Sequence, residues 1–121
     1  GEVVMSVLGF QDAYEAAEWV RVQNEPGIDV PVATPPGMAL LKLIAWMDRG
    51  RGMRQKDALD IAYLLSTYES IQAVTGALYD EDGCSTLETY GWEVTLAAAH
   101  LLGRHANRIA RAETRHEIAR L

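Results

Sequence analysis

A second cysteine is missing: Cys84 stands alone among 121 residues, so no intrachain disulfide can form and metal motifs built on paired cysteines are excluded. That suits a reducing setting, and a cytoplasmic location is the expectation. Basic residues are scarce too. The 11 Lys and Arg face 17 Asp and Glu for a net charge of -6, with a sequence pI near 4.9, which argues against a long surface tracking nucleic-acid phosphates. Any nucleotide or RNA contact must then be local. The sequence also lacks a basic-then-apolar leader and any apolar run approaching the roughly 20 residues that cross a bilayer, so a soluble protein with no membrane partner is expected. What the chain does have is 49% hydrophobic residues, enough for one compact core at this length.

Along the chain, Val3 to Leu8 is β-rich and reads as a buried strand ended by Gly9. No initiator Met precedes it, so the expectation is that the sequence opens inside a longer protein. Asp12, Ala13, Tyr14, Ala16 and Ala17 then suggest a short helix over residues 11 to 18, with Asp12 near its N-terminus. Trp19-Val20-Arg21-Val22 and Ile28 to Val32 alternate around Asn24, Pro26 and Gly27 as a β-hairpin does, with Pro31 at an edge. From Thr34-Pro35-Pro36-Gly37 the pattern turns helical, with a capping hydroxyl and first-turn prolines. Met38 to Met47 is apolar except at Lys42, so this helix should be buried on most sides. Asp48-Arg49-Gly50-Arg51-Gly52 makes a polar turn. A helix from Met53 or Arg54 to Tyr68 follows, with Leu59, Ile61, Ala62, Leu64 and Leu65 as its packing face. Residues 69 to 79 suggest another helix and 80 to 88 an acidic loop. A helix from Tyr90 to Leu102 should end at Gly103, and a charged final helix should occupy 104 to 121. The class is α+β: a short mixed or antiparallel β segment followed by a mainly α-helical domain.

Lys42 is the first chemical oddity. An ammonium inside an apolar helix must either snorkel to solvent or meet a buried anion, and this helix alone leaves both open. The next helix carries Arg54, Lys56, Asp57 and Asp60, whose three- and four-residue spacings place two cations and two carboxylates on neighbouring faces. Cations near a helix N-terminus oppose its dipole by a few tenths of a kcal/mol, and basic-before-acidic is the weaker order for such pairs. Local stability therefore does not select this arrangement. A polar cluster between two packed helices, joined by Lys42, suits a triphosphate or a phosphorylated acceptor; a solvated salt-bridge face is the plainer alternative.

Leu41-Lys42-Leu43-Ile44-Ala45-Trp46, Asp48-Arg49 and Arg54-Gln55-Lys56-Asp57-Ala58-Leu59-Asp60-Ile61-Ala62-Tyr63-Leu64-Leu65 together resemble the third motif of AbiEii-type nucleotidyltransferases: a helical Lys, a basic turn, and a basic-Asp-x-x-Asp-Leu helix. Val7 to Phe10 with Asp12-Ala13, and Val32 to Gly37, resemble the preceding family elements, so the likeness spans about residues 2 to 68; Leu101 to Arg104 adds a less specific tail. The resemblance implies a polymerase-β-like fold in which residues 1 to 34 are the β-rich remainder of the core and 35 to 121 a helical domain. It further implies that Lys42 and Asp57 are catalytic, Arg54 and Lys56 bind the nucleotide, and Asp60 braces the site. Mg²⁺ and an NTP would serve the full-length protein, with an RNA or protein acceptor and a partner protein of a toxin-antitoxin system. The upstream Gly-Ser and Asp-x-Asp element that binds Mg²⁺ in the family is absent from these 121 residues. Asp80-Glu81-Asp82-Gly83 lies after the helices, where a catalytic pair does not belong. These residues by themselves are thus expected to hold no metal and to be catalytically incomplete, and a non-catalytic nucleotide- or partner-binding module is the alternative. The same acidic run lacks Ca²⁺-loop spacing and reads as a solvated turn. Arg111 and His116 have the Arg-x4-His spacing of some helical ribonucleases, and Arg104, Arg108, Arg111 and Arg115 form a basic stripe; both have a solvated helix face as their plain reading.

Overall fold

The structure is a computed structural model that describes residues 2–48 and 51–119. Seven helices, a single 3-10 turn and one hairpin account for the described elements. They run α1 (Glu2–Glu15), β1 (Glu18–Asn24), β2 (Gly27–Val32), α2 (Pro35–Asp48), α3 (Arg51–Thr67), a 3-10 turn at Tyr68–Ser70, α4 (Gln72–Leu78), α5 (Glu81–Thr89), α6 (Val94–Ile109) and α7 (Ala112–Ala119). The α+β class holds, with antiparallel strands throughout the small sheet.

The hairpin forms where alternation placed it. Arg21 stands opposite Asp29, and the register shifts between Arg21 and Gln23. The Arg21 Nε donates to Asp29 Oδ1 at 2.6 Å across the strands. Both strands are largely exposed. The aromatic rings of Phe10, Tyr14 and Trp19 follow one another at centroid separations of 6.4 and 6.1 Å, joining α1 to the start of β1.

The opening segment departs from expectation: Val3 to Leu8 belongs to α1 and is not a strand. A short apolar run fits either state, and length with packing decides. α1 runs 14 residues and packs on α2, where the missing side chain of Gly9 leaves room for the end of Ile44. Helix α2 starts as its sequence suggests, with Thr34 Oγ1 accepting the Gly37 N–H at 3.3 Å and Pro35 and Pro36 in the first turn, where no N–H is missed. Its burial is one-sided, on Leu40 and Ile44, because 3.6 residues per turn put only one stripe against Ala110, Ile109 and Ile118. Arg49 and Gly50 of the expected polar turn lie outside the described residues.

The main core gathers Tyr68, Val74, Leu78, Leu87, Ala97, Ala98 and Leu102, with Leu64 and Leu65 of α3 against it. Leu59, expected on the packing face of α3, is instead exposed, since Leu64 and Leu65 lie on the other side of the helix. Most of residues 80 to 88, expected as a loop, belong to α5, Glu81–Thr89. Acidic residues suit a helix N-terminus, and Gly83 in its first turn lies against the backbone of Ala77 and Leu78. This helix ends in a left-handed turn at Gly91 and Trp92, where the Trp92 N–H donates to Leu87 O at 2.8 Å, the pattern of a glycine-terminated helix. Tyr90 therefore belongs to a helix end and not a helix start.

Gly103 does not end α6, which continues to Ile109 before a break at Ala110 and Arg111 separates α7. A helical glycine is tolerated at a cost of roughly 1 kcal/mol relative to Ala. A Cβ at Gly103 would have nothing within 4 Å. The Gly103→Ala variant is accordingly expected to gain about 0.4–1 kcal/mol by restricting the unfolded chain, read as a higher urea midpoint at unchanged slope. Gly103 also lines an apolar cavity of about 410 Å³ bordered by Leu43, Ile61, Leu102 and Ile118 among α2, α3, α6 and α7.

Candidate functional site

The side chains singled out in the sequence meet where α2 and α3 pack. Leu40 and Ile44 take the inner stripe of α2, and Lys42, two residues from each, falls on another side of the helix, at about 100° per residue. It neither hangs free in solvent nor sits in the apolar core. Its Nζ donates to Asp60 Oδ2 at 2.8 Å, with the two side chains about a third exposed. Lys56 Nζ reaches the same oxygen at 3.0 Å from one turn before Asp60 on α3. One carboxylate oxygen thus accepts from two ammonium groups. Asp60 thereby holds two like charges close together.

Arg54 takes a different position. Its Nε donates to Trp46 O at 2.9 Å and its Nη2 to Met47 O at 3.3 Å, and the guanidinium lies 4.9 Å from the Trp46 ring centre. These carbonyls end α2, where a cation meets both unpaired acceptors and the negative end of the dipole; the ring adds a cation–π contact. Arg54 therefore ties the start of α3 to the end of α2. Asp57 is fully buried at the same corner, so direct contact with a ligand requires the first turns of α3 to open.

Among Lys42, Arg54, Lys56, Asp57 and Asp60 one positive charge is in excess, in a chain whose net charge is -6. The two ammonium groups hold the Asp60 carboxyl below the ordinary carboxylate range, with the Lys42 hydrogen bond the largest cause and that of Lys56 next. Because the folded-state value is lowered, the contribution to stability is full above the unfolded value of about 3.9 and is lost as pH falls through the folded one. A carboxyl-detected NMR titration should place the Asp60 midpoint below 3.9, and Lys42→Ala should move it upward; an unmoved midpoint would remove Lys42 as its chief partner.

The other sequence candidates separate. Arg111 belongs to a polar clasp between the first and last described helices. Its backbone N–H donates to Asp12 Oδ2 at 3.3 Å and its Nε lies 3.3 Å from Asp12 Oδ1, while its Nη groups bond Gln11 and Glu15. Thr114 Oγ1 adds a 2.6 Å hydrogen bond to Asp12. Asp12 therefore lies inside α1 and serves the start of α7, not the start of its own helix. The Arg111 guanidinium is committed there, and His116 is exposed, which leaves the ribonuclease spacing without a shared site. The basic stripe is divided in the same way, since Arg115 Nε donates to Asn107 O at 2.8 Å. His105 instead pairs with Tyr68, Oη to Nδ1 at 2.6 Å. Burial lowers the His105 pKa, Arg108 and Arg104 lower it further, and burial raises that of Tyr68. The pair is favoured as neutral imidazole and phenol, which ties the 3-10 turn to α6.

Among the described residues no three His, Cys, Asp or Glu side chains gather as a metal site. The corner does not fit Mg²⁺ on its own, because Asp60 is neutralised by two ammonium groups and Asp57 is enclosed. No described helix is long and apolar enough to cross a membrane. The family described as nucleotidyl transferase AbiEii toxin, type IV toxin-antitoxin system, matches residues 3–119, and the chain belongs to that family. No curated protein and no solved structure matches it significantly.

Proposed function

We propose that the α2–α3 corner is the phosphate-holding part of an NTP site in a nucleotidyltransferase-like toxin, which passes a nucleotide to an RNA or protein acceptor. The observation that carries this reading is the pair of ammonium groups on one Asp60 oxygen. Two cations held together by a single carboxylate retain attraction for an anion, and a triphosphate can accept from both. In this reading Lys42 and Lys56 contact phosphate oxygens and Asp60 keeps them in register. Arg54 and Asp57 act by positioning the start of α3: the first is spent on α2 carbonyls, and the second is enclosed. Mg²⁺ would neutralise the triphosphate and activate the attacking oxygen, and its carboxylates must come from outside this corner. The scarcity of such carboxylates here favours one second reading, a module that binds nucleotide or a partner protein of the toxin-antitoxin system without catalysis.

Calorimetric titration with ATP and with inorganic tripolyphosphate tests the site. Loss of a charge-assisted hydrogen bond is worth about 1.5–3 kcal/mol, so Lys42→Ala and Lys56→Ala should each weaken binding roughly 10- to 100-fold. Affinity unchanged in both variants would remove the phosphate reading. Lys42→Ala leaves Asp60 paired with Lys56, so folding should survive the test. Incorporation of labelled nucleotide into RNA or protein by the longest native chain then separates the two readings: transfer supports the enzyme, and binding without transfer supports the module.

A further inference from the structure

Beside the ammonium pair, α3 exposes two large side chains, Leu59, which its sequence places on the packing face, and Tyr63. Leu59 is 63% exposed and Tyr63 68%. Isolated surface hydrophobes are common and carry no message. These two, however, share one stripe with the charged residues. Lys56, Leu59, Asp60 and Tyr63 are spaced i, i+3, i+4 and i+7, which places all four within a sector of about 100° on one side of the helix. Leu65 occupies the opposite side and Leu64 the flank between, both against the core.

We propose that Leu59 and Tyr63 form a platform on which the base of a mononucleotide stacks while its phosphates lie on Lys42 and Lys56. The inference rests on the phosphate reading of the same corner and deepens it. Three considerations support it. Seven residues of helix separate Lys56 from Tyr63, a rise of about 10 Å, which is comparable with the reach of a nucleoside triphosphate from base to outer phosphates. Helical side chains lean toward the N-terminus of their helix, which inclines the Tyr63 ring toward Leu59 and the ammonium pair. A ligand with an anionic end and a flat apolar end is complementary to this stripe in both charge and shape, because an aromatic face stacks on any base.

The surroundings also say something about selectivity. One turn further on, the hydroxyls of Ser66 and Thr67 both donate to Tyr63 O, at 3.1 and 2.7 Å. Those donors are spent on the backbone and do not face a base edge. Stacking without edge recognition tolerates every base. The four common NTPs should therefore bind within a few-fold of one another.

The experiment compares ATP, the other three NTPs and tripolyphosphate on wild type, Tyr63→Ala, Tyr63→Phe and Leu59→Ala, with 2-aminopurine riboside triphosphate as a fluorescent reporter. Tyr63 and Leu59 are surface residues, so these variants should fold. Expected are a roughly tenfold loss of ATP affinity in Tyr63→Ala, retention in Tyr63→Phe, unchanged tripolyphosphate binding in both, and 2-aminopurine quenching that disappears in Tyr63→Ala. ATP binding no tighter than tripolyphosphate, or ATP affinity indifferent to Tyr63→Ala, overturns the platform while leaving the phosphate site intact. Tripolyphosphate binding indifferent to both Lys42→Ala and Lys56→Ala overturns the phosphate site, and the platform falls with it.

Discussion

The Asp12→Ala variant is expected to lose about 3 kcal/mol of stability, seen as a lower urea midpoint at unchanged slope. Asp12 is fully buried. Its carboxylate accepts from Thr114 Oγ1 at 2.6 Å and from the Arg111 backbone at 3.3 Å, and it pairs with the Arg111 guanidinium. Removal leaves a buried hydroxyl and a helix-start N–H without their acceptor, and takes from Arg111 the buried one of its two carboxylate partners, Glu15 remaining. Breaking a buried pair by deleting one member costs about 3–5 kcal/mol. The lower figure applies because the Arg111 side chain keeps about a third of its surface in water and can be hydrated again. Asp12→Asn retains an acceptor for Thr114 and should lose less. A change below about 1 kcal/mol in Asp12→Ala, the size of an ordinary exposed pair, would show that the clasp does not hold α1 to α7.

The second large effect belongs to Gly83. A Cβ there would overlap the carbonyl oxygen of Ala77 and stand 2.7 Å from Leu78 Cα and 2.8 Å from Leu78 O. These are backbone atoms, so no side chain can swing aside; α5 must move away from α4. Gly83→Ala should therefore cost about 2–3 kcal/mol, near the top of the usual range for overpacking. Gly52 and Gly76 supply the comparison, since a Cβ at either meets nothing within 4 Å. Thermal unfolding of all three alanine variants should show a large drop in melting temperature for Gly83→Ala alone. Equal behaviour of the three would mean that α4 and α5 do not approach this closely.

Local signals were legible where the chain solves a local problem. Thr34 and two prolines announce the start of α2, and alternation announces the hairpin, because capping and turn chemistry act over a few residues. The Lys42, Lys56 and Asp60 cluster was legible for a similar reason: an ammonium in an apolar helix needs an anion, and the next helix supplies one. Pairing could be anticipated, but its division could not. That Arg54 turns back to the carbonyls of Trp46 and Met47, leaving Lys56 to share Asp60, depends on how α2 and α3 meet. Glycines misled in both directions. Gly103 reads as a stop yet lies inside α6, and Gly83 reads as part of a loop yet permits α5 to pack on α4. The opening run of valines suggests a strand, and only its contact with α2 selects a helix. Asp12 could not be assigned locally because its partners lie about a hundred positions away. Leu59 was missed as an exposed residue since a leucine within an apolar helical pattern reads as core, and nothing local marked Tyr63 as its neighbour on the surface.

The Asp12 clasp also bears on time. It joins positions separated by nearly the whole described chain, so it can close only after the intervening helices have surrendered most of their freedom. The clasp is expected to close after the folding barrier, where its energy resists escape from the native state. Weakening the clasp should leave the rate of folding nearly unchanged and hasten unfolding, so that this one buried carboxylate sets how long a folded molecule lasts more than how quickly it forms.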